Sequence, residues 1–196
     1  MAEKIAIFGG TFDPIHMGHM IMAEYALSVV DKVCFLPNNR PPHKQNGAYA
    51  TARQRLEMVK LAITGKERFC YSDYELKVKG PSYTVDTMEY FVREWKTTPC
   101  FMVGADSLRD ITGWYQPERL RDLCEILAFD RVAEGVQVEE RAEQLCREGW
   151  KITVVKMPLI ELDSTTIRAR IAAGLPISCQ VPETVGEYIN KNKLYL

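Results

Sequence analysis

The stretch Ile5–His19, reading IAIFGGTFDPIHMGH, restricts the fold more than any other part of the chain. Ile5, Ala6, Ile7 and Phe8 make a short unbroken apolar run, the pattern of a strand covered on both faces in a parallel sheet. Gly9 and Gly10 end it. Lacking Cβ atoms, they let the backbone approach a ligand closely, so amides around Gly10, Thr11 and Phe12 can face an anion. Asp13-Pro14 marks a turn, and a helix is expected to follow it through Ala26. His16 and His19 then stand at i and i+3 on one helix face, looking back over the strand's carboxyl end. Gly18 between them is expected to leave open space for a phosphate, to which the helix N-terminus adds N–H groups and a favourable dipole.

Each part has a plainer reading. A strand, two glycines and a helix form a tight turn in many α/β proteins. A His-x-x-His pair is also found as a structural or surface feature, or on zinc. The Cys or Glu partners of zinc motifs are missing nearby, so no protein metal site is expected. The combination is what points to phosphate chemistry.

The rest of the chain alternates strand and helix without a linker or repeat, which implies a parallel sheet. Val33–Leu36 reads as a second strand, followed by a proline-rich loop through Pro42. Thr51 and Gln54 form a capping box, and Ala52, Leu56, Val59 and Ile63 mark the buried stripe of the next helix. The segment 69–76 reads as extended, with Gly80-Pro81 breaking it. Val85, Met88, Phe91, Val92 and Trp95 mark another helical face, and residues 99–103 enter a buried strand. Residues 126–129 and 152–155 are further strands around a charged helix over about 138–147, and helices are expected over 165–173 and 182–192. The expected fold is therefore α/β: a Rossmann-like, doubly wound parallel sheet with helices on both faces. At 196 residues and 46% hydrophobic content the chain suffices for a single domain, 1–196, with a C-terminal helical part from about residue 163. Ligands of such sheets sit at the strands' carboxyl ends.

Charge and cysteine content narrow the function. Twenty-five basic against 26 acidic side chains give a net charge of -1, so nothing drives the chain toward nucleic acid or an anionic membrane, and phosphate binding must be local. No targeting or membrane-spanning run is seen, and a cytoplasmic location is expected. The six cysteines lack a CxxC or compact framework and read as reduced small hydrophobes.

Three further segments fall where strand carboxyl ends are expected. Pro41-Pro42-His43-Lys44 places a cation in a stiff loop, though Lys44 alone could be an ordinary solvated lysine. Gly104-Ala105-Asp106-Ser107 offers a glycine for close approach and a carboxylate for ribose hydroxyls. Asp163-Ser164-Thr165-Thr166-Ile167-Arg168 supplies hydroxyls, helix-start amides and a guanidinium, a set suited to triphosphate oxygens; its plainer reading is a capped helix.

GGTFDPIHMGH resembles the (T/S)FDPxHxGH signature of the nucleotidyltransferase superfamily. With PPHK, SYTVDT, GADS followed by Trp114, and STTIR in order, the chain resembles the bacterial nicotinate-nucleotide adenylyltransferases from Lys4 to about Leu194. The resemblance implies adenylyl transfer from ATP, with Mg²⁺, to nicotinate mononucleotide. It implies that His16 and His19 hold the α-phosphate region and that Lys44 and Arg168 neutralise the departing pyrophosphate. Gly9, Gly10, Thr11, Phe12, Gly18, Gly104, Asp106, Ser164 and Thr165 would bind ATP. Thr11, Lys44, Tyr83, Thr84, Asp106 and Trp114 would bind the nicotinate nucleotide, its carboxylate on amides near Thr84 and its ring on Trp114. The plainer reading of Trp114 is a partly buried core aromatic, against which Gly113 before it and Gln116-Pro117 after it suggest a loop. One departure stands out: many relatives have Arg-Pro-Gly where this chain has Arg131-Val132-Ala133-Glu134-Gly135, which puts a role for Arg131 in doubt.

Two alternatives stay open. One is an enzyme that accepts nicotinamide mononucleotide or both pyridine nucleotides. The other is a catalytically silent nucleotide sensor, which would have one of His16, His19, Lys44 or Arg168 turned away from a common pocket. Partners are thus small molecules; whether the chain forms a homo-oligomer is left open.

Overall fold

Gly10 and Pro37 end two neighbouring strands at the same level of a six-stranded, all-parallel sheet, with β3-β2-β1-β4-β5-β6 as its order. The computed structural model describes residues 3–39, 49–78, 80–131 and 138–196. In chain order the elements are β1 (Ile5–Gly10), α1 (Met17–Ala26), β2 (Lys32–Pro37), α2 (Ala52–Ile63) and β3 (Phe69–Tyr71), then α3 (Tyr74–Lys77), α4 (Thr84–Trp95), β4 (Cys100–Gly104), α5 (Ala105–Asp110) and α6 (Pro117–Leu123). They continue with β5 (Glu125–Arg131), α7 (Val138–Arg147), β6 (Ile152–Met157), α8 (Ser164–Ala172) and α9 (Glu183–Lys191). The α/β, doubly wound arrangement is the expected one.

Strand alternation divides the core into two layers. Ala6 and Phe8 of β1 pack with Ala23 of α1, Val59 of α2, Ile167 of α8 and Val185 of α9. Ile7 faces the other way, toward Met88 of α4, Leu108 of α5, Leu120 of α6 and Leu145 of α7. Ile7 has no exposed surface, and burial of such a side chain contributes about 2 kcal/mol. Because α8 and α9 share the core of α1 and α2, the segment from residue 163 belongs to the same packed unit. Among the described residues no helix is long and apolar enough to cross a membrane.

The expected extended segment 69–76 is corrected by the structure. β3 stops at Tyr71, where the Ser72 N–H donates to the Phe35 carbonyl (3.0 Å). Ser72 Oγ then accepts from the Tyr74 N–H (3.2 Å) and turns the chain into α3. A serine that satisfies a following amide competes with strand continuation.

The two halves of the sheet separate at its centre. β1 pairs with β4 through Ala6–Cys100 and Ile7–Phe101, whereas the β1–β2 ladder runs on to Gly10–Pro37 and the β4–β5 ladder to Gly104–Phe129. The strand order reverses between β1 and β4, so this opening is the crevice where open α/β sheets place ligands.

Candidate active site

His16 is the last residue before α1 and has an extended backbone, so its side chain and that of His19 meet over the first helical turn. Their rings stack with centroids 3.6 Å apart and 29° between planes, as the i, i+3 spacing requires. The His16 N–H donates to His19 Nδ1 (3.2 Å). An accepting Nδ1 is unprotonated, which leaves the neutral ring's proton on Nε2 as a donor. Edge contacts with Phe12 (5.0 Å) and Phe8 (5.8 Å) fix the His19 ring further.

A cavity of about 340 Å³ opens beside this pair. Thr11, His16, Gly18, His19, Ser164 and Thr165 line its polar side, with Asp163; Phe12, Met22, Met157, Ile160 and Leu162 supply apolar surface. Thus β1's end, the start of α1 and the start of α8 build one pocket with a polar and an apolar side. Such a pocket can hold a planar heterocycle against the methionines and leucine and an anion against the histidines and hydroxyls.

Several expectations need correction in detail. Gly18 does not leave a void: a Cβ there would lie 3.0 Å from His16 Nδ1 and 3.1 Å from His16 Cε1, so the glycine makes room for the imidazole. The N–H groups of Thr165 and Thr166 are not free helix-start donors. Both donate to Asp163 Oδ1 (2.8 and 2.9 Å), and Thr166 Oγ1 donates to Asp163 Oδ2 (2.7 Å). Chiefly through the Thr166 amide, these bonds hold the Asp163 carboxyl below its ordinary range. Ser164 Oγ donates to the Pro14 carbonyl (3.0 Å), joining α8 to the Asp13-Pro14 turn.

Arg168 is placed differently from a solvent-facing phosphate clamp. It is buried, and its Nη1 donates to the Asp13 carbonyl (2.7 Å) and its Nη2 to Thr165 Oγ1 (3.1 Å), with the Tyr49 ring 4.3 Å from its guanidinium carbon. The guanidinium is absent from the cavity wall and acts on it through Thr165. Lys44 lies outside the described residues, as do Pro41 to His43 and residues 132–135 of the loop after Arg131.

A second group gathers around the same crevice. Gly104 ends β4 just before α5 with open space where a Cβ would be, and Asp106 in the first turn of α5 is exposed and ion-paired with Arg109 (3.0 Å). Tyr83 precedes α4, whose first residue is Thr84 and which has no side-chain cap. Trp114, half-buried, packs edge-on against Phe101 (6.2 Å), and the Phe101 ring lies 3.5 Å from where a Cβ on Gly9 would sit. Gly9 therefore faces this second group, while Thr11 and Phe12 face the cavity. Gly10 is tight for a different reason: a Cβ there would meet the Phe12 ring at 2.9 Å.

Sequence reasoning missed the groups that brace the turn. Asp13, read only as a turn residue, is almost fully buried; its carboxylate accepts from the Tyr49 and Ala50 N–H groups (2.7 and 3.1 Å) and from Tyr195 Oη (2.8 Å). Burial and the Asp13 charge push the Tyr195 phenol well above its ordinary value, so it stays a donor. Arg55 was hidden in the polar half of α2's pattern, although it stands three residues after Ala52 and four before Val59. It is buried beside Met58 and Val59, and its own partners lie at the ends of β1 and β2.

All six cysteines are free, and burial pushes the Cys100 and Cys124 thiols up to about 12, which removes their nucleophilic form. Among the described residues no three His, Cys, Asp or Glu side chains gather as a metal site.

Comparison with known proteins agrees with this architecture. A family model described as cytidylyltransferase-like matches residues 7–170. A protein of Caldicellulosiruptor bescii named "probable nicotinate-nucleotide adenylyltransferase" is 40% identical over 98% of both chains, and one of Clostridium acetobutylicum with that name is 39% identical over 99% of this chain and 100% of its own. The fold is also that of the Plasmodium falciparum nicotinic acid mononucleotide adenylyltransferase complexed with NaAD, with TM-score 0.77, 17% identity and coverage of 98% and 97%. With the stacked histidines, the α8 start and the β1–β4 crevice assembled as the motifs require, the chain belongs to the cytidylyltransferase-like family, among the nicotinate-nucleotide adenylyltransferases.

Proposed function

We infer that this chain transfers the adenylyl group of ATP to nicotinate mononucleotide, releasing pyrophosphate and forming nicotinic acid adenine dinucleotide. The observation that carries the reading is the stacked His16–His19 pair facing a cavity whose other wall is the start of α8.

The acceptor phosphate is largely dianionic at neutral pH, its second pKa being about 6, so the reaction needs no general base. An acceptor oxygen forms a bond to the α-phosphorus of ATP while the bond to the bridging oxygen of the β-phosphate breaks. The protein's task is alignment and charge stabilisation. His16 and His19 are assigned to the α-phosphate, with the His19 Nε2–H as a donor. Ser164, Thr165 and the Thr11–Phe12 backbone line the phosphate path, Gly18 gives the His16 ring its room beside it, and Gly9 and Gly10 leave the space that the Phe101 and Phe12 rings take. Arg168 contributes its charge from behind Thr165, and Lys44 is assigned to the departing pyrophosphate. The adenine ring is assigned to the apolar side at Met22, Met157 and Leu162.

The acceptor belongs to the second group. The N-terminal amides of α4 at Thr84, together with Tyr83, suit a carboxylate, which accepts hydrogen bonds; a carboxamide also donates them. Trp114 offers a ring for the pyridine, and Gly104 and Asp106 the ribose contacts. Asp163 is consumed as a helix cap, so Mg²⁺ would be held mainly by the nucleotide's phosphates and water, where it would neutralise developing charge. A cytoplasmic location fits six unpaired cysteines.

The inward turn of Arg168 is the one observation favouring a nucleotide-binding sensor. Mass spectrometry of products from ATP, Mg²⁺ and nicotinate mononucleotide separates the readings. Equal amounts of the dinucleotide and pyrophosphate are expected; bound but unchanged ATP would favour the sensor.

A further inference from the structure

Arg55 rises from the first turn of α2 with 1% of its surface exposed, yet among the described residues its hydrogen bonds go to no carboxylate. Nη1 donates to the Thr11 carbonyl (2.7 Å), and Nη2 donates to the Asn38 carbonyl (2.8 Å) and, more weakly, to that of Asn39 (3.4 Å). The Asn38 N–H in turn donates to the Gly10 carbonyl (3.0 Å). One guanidinium thus ties the loop leaving β1 to the loop leaving β2, next to the crevice.

The consequence follows from peptide planarity. In a trans peptide the carbonyl and the next N–H point to opposite sides. With the Thr11 oxygen drawn toward Arg55, the Phe12 N–H must face away from α2. Thr11 and Phe12 line the cavity and Arg55 does not, and no acceptor among the described residues takes the Phe12 N–H. Phe12 has φ 49°, an unusual conformation for a residue with a side chain, and its ring is wedged between Gly10 and His19. A strained residue held by a buried guanidinium is a conformation maintained against its own preference.

We propose that Arg55 is a positioning residue: by gripping the Thr11 carbonyl it aims the Phe12 N–H into the cavity as a donor to the phosphates of the substrate. This rests on reading the cavity as the phosphate site. A lysine cannot substitute, because its single ammonium lacks the planar fork that bridges the two carbonyls.

Inorganic pyrophosphate titrated into ¹⁵N-labelled protein tests this, with the Ser164 amide on the opposite wall as the internal reference. In the unsubstituted protein both the Phe12 and Ser164 amide signals are expected to move. In Arg55→Lys, Ser164 still moves, Phe12 moves less than about half as far, and kcat at saturating substrates falls about tenfold or more. Equal Phe12 responses in both proteins overturn the proposal. So does an unmoved Phe12 beside a moved Ser164 in the unsubstituted protein, a result that needs no variant. If neither amide moves there, the phosphate-site reading itself fails. Arg55→Met, which keeps the apolar stem but has no donor for the Thr11 carbonyl, is the second variant should the lysine protein not fold, and a reduced Phe12 response is expected from it too.

Discussion

The backbone N–H of His16 donates to Nδ1 of His19, while the two rings lie stacked 3.6 Å apart. The same contact caps the helix and sets the tautomer of His19, so the geometry of α1's first turn and its chemistry are one arrangement. Loss of either imidazole therefore disturbs both.

His19→Ala is expected to lower kcat by about 10² or more, because it removes a donor to developing charge. The core around α1 should persist, since Met20, Met22, Ala23 and Ala26 carry its burial. Steady-state kinetics with a thermal melt check this. An unchanged kcat with a raised KM for ATP would assign His19 to ground-state binding.

Gly18→Ala should act on His16. The new methyl would sit 3.0–3.1 Å from two ring atoms and 3.5 Å from the Leu162 carbonyl oxygen, and the ring is held by its stack on His19. A displaced imidazole predicts a loss of activity of about tenfold or more, with the melting temperature little changed. Wild-type activity would mean that the position of His16 is not limiting.

Asp163 links α8 to pH. Its carboxyl is held below the ordinary 3.8, chiefly by the Thr166 amide, so its contribution is full above about pH 4 and is lost as pH falls through the lower folded value. Asp163→Ala should lose about 1 kcal/mol at pH 7 through the missing cap. Urea melts should show the gap from wild type closing below about pH 4; a gap constant from pH 7 to 3 would show that the cap is not electrostatic.

Glu75 has the opposite sign. It is buried, accepts from Thr87 Oγ1 (2.8 Å), and burial raises its pKa above the ordinary 4.5. Its contribution is therefore complete below about pH 4.5 and is lost as pH rises through the folded value. Glu75→Gln, already neutral, should gain in melting temperature relative to wild type between pH 4 and 8. A difference that stays flat with pH would contradict this.

The fold was legible where the periodicity was undisturbed: α4 lies where its apolar pattern places it, β1 starts with its apolar run and extends over Gly9 and Gly10, α1 follows the Asp13-Pro14 turn and ends at Ala26, and Thr51–Gln54 caps α2. It failed at 72–76, where Asp73, Tyr74, Glu75 and Leu76 alternate as in a half-buried strand but Ser72 captures the Tyr74 amide. At the site, the meeting of the two histidines was readable because their i, i+3 spacing sets their direction, whereas the α8 amides expected to be free are taken by Asp163. The roles of Asp13, Arg55 and Arg168 were not, because a charged side chain's direction depends on loops brought together across the chain. Tyr195 reaches Asp13 over 182 positions, and Arg168 reaches it over 155. No local pattern encodes such a contact, and a buried arginine reads as solvated until its acceptors are seen.

The most direct measurement offers ATP and Mg²⁺ with nicotinate mononucleotide, nicotinamide mononucleotide or phosphopantetheine in parallel and follows pyrophosphate release. Adenylyl transfer with the acceptor held by α4 amides and Trp114 predicts release with the nicotinate nucleotide and a much lower kcat/KM with nicotinamide mononucleotide. Equal use of both pyridine nucleotides would contradict the acceptor site, and no release with either would contradict adenylyl transfer to a pyridine nucleotide.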